Sequence, residues 1–153
     1  MNEVEQLQAI EAIKQVKARY FRGVDTGDPA LVRSILAEDC VLDYMGCCTD
    51  PATGRDYLPA MNIVMRGRAS WSSPGLSALG IVSTHHGHTG EVTLTGDTTA
   101  SAIWPMTDRL FMPAGSAFAV MIGYGYYHET YEKRDGAWHI KTLHIQRIRV
   151  EAN

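Results

Sequence analysis

The chain has 153 residues, a formal net charge of −3 and a pI near 6.0, with 45% hydrophobic and 20% charged residues. That size suits a single domain spanning 1–153 that buries its own core, and mild acidity leaves no basic footprint for nucleic acid. No apolar run approaches the ~20 residues that cross a bilayer, which excludes a membrane span of the helical kind. The opening MNEVEQLQ is polar and acidic, unlike a signal peptide. Three cysteines, two of them adjacent (Cys47, Cys48), match neither a disulfide framework nor a zinc spacing. They read as reduced thiols of a cytoplasmic protein.

In chain order, Val4, Leu7, Ile10, Ile13, Val16, Tyr20 and Val24 recur at three- and four-residue steps, one apolar stripe on a helix of about 22 residues. Gly27 ends it, and Asp28-Pro29 supplies the cap and first residue of a second helix buried through Leu31, Val32, Ile35 and Leu36. CVLDYM (40–45) reads as a short strand. Residues 46–59, rich in Gly, Pro, Thr and Asp, read as a loop. The segment YLPAMNIVMRGRASW reads as a third helix from about Pro59.

From Ile81 onward three or four long strands follow, separated by turn signals at Thr95-Gly96-Asp97, Pro113-Ala114-Gly115 and Arg134-Asp135-Gly136. Helices first and a meander later predict an α+β fold, with helices against one face of a strongly bent antiparallel sheet. Pro105, Gly123 and Gly125 mark bends or bulges.

Several polar residues sit where apolar ones belong. The even positions from 100 to 112 read Ala, Ala, Trp, Met, Asp, Leu, Met, an apolar row broken by Asp108. An unpaired buried carboxylate is costly. In the last strand Arg147 follows Leu143 and Ile145 on another apolar row. Tyr20 aims a phenol inward from the first helix. Asp25 sits at that helix's C-terminal end, where the macrodipole disfavours it by ~0.3–1 kcal/mol. Each has a bland alternative: Tyr20 packs, Asp25 turns, Asp108 pairs with Arg109, Arg147 snorkels. Their coincidence in one domain favours a site. The segment THHGHT (84–89) adds three of the chain's six histidines.

These pieces, IEAIKQVKARYFRGVD (10–25), HHGHTGEVTL (85–94), MTDRLF (106–111), GYYHETYEKRDGAWHI (125–140) and IQRIRVE (145–151), resemble the SnoaL-like branch of the nuclear transport factor 2-like superfamily. Within it the likeness is to bile-acid 7α-dehydratase, with scytalone dehydratase and ketosteroid isomerase more distant. The resemblance implies a cone-shaped, cystatin-like roll and a dehydratase site on Tyr20, Asp25, His85, Asp108 and Arg147, with no cofactor. It places His88 as a matched partner residue. Strict alternation from Val82 instead groups His86 and His88 with Val92 and Leu94, so His86 competes with His85 unless Gly87 or Gly90 hosts a bulge.

A metal reading joins His86 and His88 with His128 or His144 and a carboxylate. Acid–base chemistry is preferred, because the resembled enzymes work without metal. A neutral imidazole oriented by Asp108 or Asp25 takes a proton beside a carbonyl. Tyr20 steadies the developing oxyanion, and Arg147 neutralises an aspartate or binds a polar group. The expected partner is a small, hydrophobic, ring-containing substrate, held by Tyr44, Met65, Trp104, Met106, Phe118 and Tyr126, with Met61 and Trp71 as further wall candidates. Dehydration and isomerisation use the same residues. A non-catalytic ligand binder and an oxygenase-partner subunit are the alternatives from other classes. The open sheet face predicts a homo-oligomer, trimer or dimer.

Overall fold

The fold is described from a computed structural model covering residues 1–153. Helix α1 spans Glu3–Asp25 and opens on a capping box: Asn2 accepts from the Glu5 amide at 2.9 Å, and the Glu5 carboxylate accepts from the Asn2 amide at 2.7 Å. Its buried face runs through Ala9, Ile13, Val16, Lys17, Tyr20, Phe21 and Val24. Val4 and Leu7 are exposed, so the expected stripe begins two turns late and the first turns overhang the core. Helix α2 (Pro29–Ser34) is capped by Asp28 as its sequence dictates, but stops before Leu36. Leu36 already belongs to β1 (Leu36–Asp43), which therefore begins four residues earlier than CVLDYM.

The segment read as a third helix is not one. Residues 57–71 form two single-turn 3-10 helices (Pro59–Met61 and Arg68–Ser70) flanking a short strand, β2 (Val64–Arg66). Gly67 between them sits at φ +77°, a left-handed conformation that breaks any helix. A further 3-10 helix covers Gly75–Leu79.

The remaining strands are β3 (Val82–Gly87), β4 (Glu91–Leu94), β5 (Thr99–Phe111), β6 (Val120–Arg134) and β7 (Ala137–Ala152). They form one sheet ordered β2-β1-β7-β6-β5-β3, with β4 also pairing with β5. All pairs are antiparallel except β1 with β7, which is parallel and closes the sheet around the helices. The β6–β7 register slips between Tyr124 and Gly125, where Ile148 is the extra residue opposite, which is the bulge expected there. Pro105 keeps β5 in register with β6; at that point the partner on the other edge changes from β3 to β4. No helix is long and apolar enough to cross a membrane.

The concave face of the sheet and the helices enclose a core of 30 buried residues. The outer face leaves Val82, Phe111, Tyr124 and Ile148 exposed.

Candidate active site

Between α1, the inner sheet face and the irregular segment 44–79 lies a cavity of about 330 Å³, lined mainly by apolar side chains. Its polar wall is built along one row of the sheet. His85 on β3 stands directly opposite Asp108 on β5, and Asp108 opposite Gly123 on β6. Arg147, from β7, reaches across Gly123 and grips Asp108 with both terminal nitrogens, at 2.7 and 3.0 Å. Its Nε donates to the Cys47 carbonyl at 2.6 Å. Both charged side chains are only 4% exposed, so the bidentate geometry offsets a large desolvation cost. Burial alone would lower the guanidinium's pKa; Asp108 beside it outweighs that and holds it fully charged.

Gly123 is essential to this reach. A Cβ there would lie 2.3 Å from Arg147 Nη1 and 2.4 Å from Asp108 Oδ1. The expected bend at Gly123 is thus better described as a gap that the ion pair fills.

His85 is held from behind by Asp25. The Asp25 carboxylate accepts from His85 Nδ1 at 2.5 Å, from the His85 amide at 2.8 Å and from Ser83 Oγ at 2.9 Å. Burial pushes Asp25 upward, but the hydrogen bonds it accepts from His85 and Ser83 outweigh it and keep its pKa below the usual carboxylate value. An ionised carboxylate only accepts, so the proton sits on Nδ1 and the Nε2 lone pair is free. Nε2 lies 4.0 Å from Asp108 Oδ2. Phe21 stacks on the imidazole at 5.7 Å between ring centroids.

The conflict between His85 and His86 resolves without a bulge in β3, whose register with β5 is unbroken. Val82 points outward and is exposed, so Ser83 and His85 form the inner row and His86 faces out. Parity changes in the break at 88–90, between β3 and β4, so Val92 and Leu94 still pack inward.

Across the cavity Tyr20 and Tyr44 meet hydroxyl to hydroxyl at 2.7 Å. Burial raises both phenols well above their ordinary pKa, so both keep their protons. Tyr20 packs edge-on against Trp71 and Tyr127, which also line the cavity.

Tyr20, His85, Asp108 and Arg147 therefore converge on one chamber, with Asp25 behind His85. Of the proposed wall residues, Tyr44, Met61, Met65 and Trp71 line it. Trp104, Met106, Phe118, Tyr126 and His88 do not. Trp104 is buried elsewhere, donating to Tyr131 at 3.0 Å. Met106 sits behind the ion pair, its sulfur 3.4 Å from Arg147 Nη1. Phe118 packs on Tyr57 outside the cavity. Tyr126 lies on the opposite face from Tyr127, and His88 is exposed near Thr107. Tyr127, Cys47, Cys48 and Gly123 escape a reading of the sequence. Alternation gives no signal for Tyr127, because even- and odd-numbered positions of β6 are equally apolar. No three His, Cys, Asp or Glu side chains come together in a group suited to a metal ion.

Known proteins fit this architecture. The family model of the SnoaL-like domain matches residues 5–144. A protein assigned as a scytalone dehydratase from Novosphingobium aromaticivorans superposes with a TM-score of 0.75 at 20% identity, covering 97% of this chain and 90% of that one. A hexachlorocyclohexane dehydrochlorinase, LinA-type3 from Novosphingobium barchaimii, gives 0.76 at 15% identity, covering 99% and 94%. An uncharacterized protein with a cystatin-like fold from Caulobacter vibrioides gives 0.68 at 14% identity, covering 93% and 91%. At these identities the likeness concerns the fold. The chain belongs to the SnoaL-like domain family.

Proposed function

We propose that this protein is a lyase that eliminates water from a hydrophobic cyclic β-hydroxycarbonyl compound by proton transfer at His85. The observation that carries the reading is the Asp25–His85 dyad, which turns a free Nε2 lone pair toward an apolar cavity. Nε2 removes the proton next to the substrate carbonyl, and Asp25 stabilises the imidazolium that forms. The protonated Tyr20, supported by Tyr44, donates to the carbonyl oxygen as it becomes an enolate, a contribution of ~3–4 kcal/mol for one well-aimed donor. The imidazolium then returns the proton to the departing hydroxyl. Asp108, its charge balanced by Arg147, lies 4.0 Å from the same nitrogen, and its carboxylate oxygen faces the imidazolium as it forms. The same groups would move a proton between carbons in an isomerisation.

Cavity size narrows the substrate. A dry cavity of ~150 Å³ holds one benzene, so about 330 Å³ suits one or two rings better than a four-ring steroid. The neighbours assigned as a scytalone dehydratase and a dehydrochlorinase support elimination as the reaction type.

The test is a panel of one- and two-ring β-hydroxyketones, followed by the absorbance of the enone formed. Turnover of at least one member by the native protein, reduced about 10³-fold or more in His85→Ala with the fold intact, is the expected result. Undiminished turnover in His85→Ala would reject His85 as the base.

A further inference from the structure

We propose that Cys47 and Cys48 form a dithiol site in the cavity wall that captures an aryl-bearing, trivalent thiophilic electrophile. The two sulfurs lie 3.7 Å apart, both residues are at most 5% exposed, and both line the cavity. The third cysteine, Cys40, is buried on β1 away from the cavity. The pair sits in a turn after β1, where the Cys47 amide donates to the Tyr44 carbonyl at 3.1 Å. That turn aims two adjacent side chains into the same space, which a regular strand would send to opposite faces.

The environment favours reaction there. A hydrogen bond from Cys48 lowers the Cys47 thiol against the opposing effect of burial, and the Arg147 charge adds to the lowering. The same bond and burial raise Cys48. One sulfur is thus the better nucleophile and its neighbour is placed to close the ring. Soft thiolates select soft acceptors. With an arylarsenoxide, two arsenic–sulfur bonds form while arsenic gives up its oxygen. The two thiol protons leave with that oxygen as one water, and arsenic stays trivalent. The aryl group enters the apolar cavity beside Met61 and Trp71. This capture does not depend on the lyase reading.

The experiment adds one equivalent of phenylarsine oxide to the folded protein and measures intact mass. One phenylarsenic per chain is expected, resistant to excess monothiol and removed by a small dithiol. Fragmentation should place it on residues 47–48, and Cys40→Ser should behave as the native protein. Cys47→Ser and Cys48→Ser, checked for folding by thermal melt, should each lose the monothiol-resistant adduct. Absence of a resistant adduct on the native protein, its survival in either of those two variants, or its mapping to Cys40 would overturn the proposal. The fragmentation result decides even where a serine variant fails to fold.

Discussion

Two ion pairs are buried in this small core, and they differ in what surrounds them. Arg147–Asp108 borders the cavity and faces His85. Lys17–Glu129, with Nζ 2.5 Å from the carboxylate, does not line that cavity. Lys17 instead sits 3.4 Å from the Tyr127 ring centroid, 4.4 Å from Tyr20 and 4.5 Å from Phe21. Glu129 also accepts from the Tyr131 hydroxyl, which in turn accepts from Trp104. The Lys17 pair ties together the aromatic rings on which the site rests, including Phe21 stacked on His85. Of the two pairs, Arg147–Asp108 is the one that meets the cavity.

Breaking the deeper pair should give the largest effect. Lys17→Met leaves Glu129 buried and unpaired, and unfolding in denaturant should show a loss of about 3–5 kcal/mol. Lys17→Met with Glu129→Leu should recover most of that loss. A double variant no better than the single one would mean that the charges themselves stabilise the fold.

Next in size is Gly123→Ala. Its Cβ collides with the Arg147–Asp108 contact, so turnover should fall by about 100-fold while stability drops by only ~1–3 kcal/mol. Unaltered turnover would show that the ion pair can shift without consequence for His85.

The smallest effect separates the pairs by pH. Burial, partly offset by Glu129, lowers Lys17 to about 8, whereas Arg147 stays charged throughout. A lysine with a folded pKa below its unfolded ~10.4 penalises folding below pH 8, and the penalty fades as pH rises toward 10. Native stability relative to Lys17→Met should therefore rise between pH 8 and 10. A flat or falling difference would show that Lys17 is not depressed.

Much of the site was legible because its residues violate the pattern around them. Asp108 and Arg147 interrupt apolar rows, and in the structure they are partners, with Arg109 playing no part. Tyr20 and Asp25 stood out in the same way. Lys17 did not, because it flanks the apolar stripe of α1 next to Val16 and looked like an ordinary helix surface residue. The sidedness of β6 was illegible for a different reason. Ile122, Tyr124 and Tyr126 on one face are as apolar as Met121, Tyr127 and Tyr131 on the other, so alternation carried no sign. The third helix failed because Met61, Ile63 and Met65 supplied an apolar pattern while Gly67 fixed a conformation no helix accepts. In the chain's most irregular stretch, wall residues of the cavity come from turns whose geometry depends on contacts far away in sequence.

The most direct test of His85 as the base removes the leaving group. A cyclic ketone that lacks the hydroxyl, and whose binding is seen by tryptophan fluorescence, is incubated in deuterated water, and NMR follows exchange of its α-protons. The native protein should accelerate that exchange, and His85→Ala should abolish the acceleration while still binding the ketone. Equal exchange in the two proteins would contradict proton abstraction by His85.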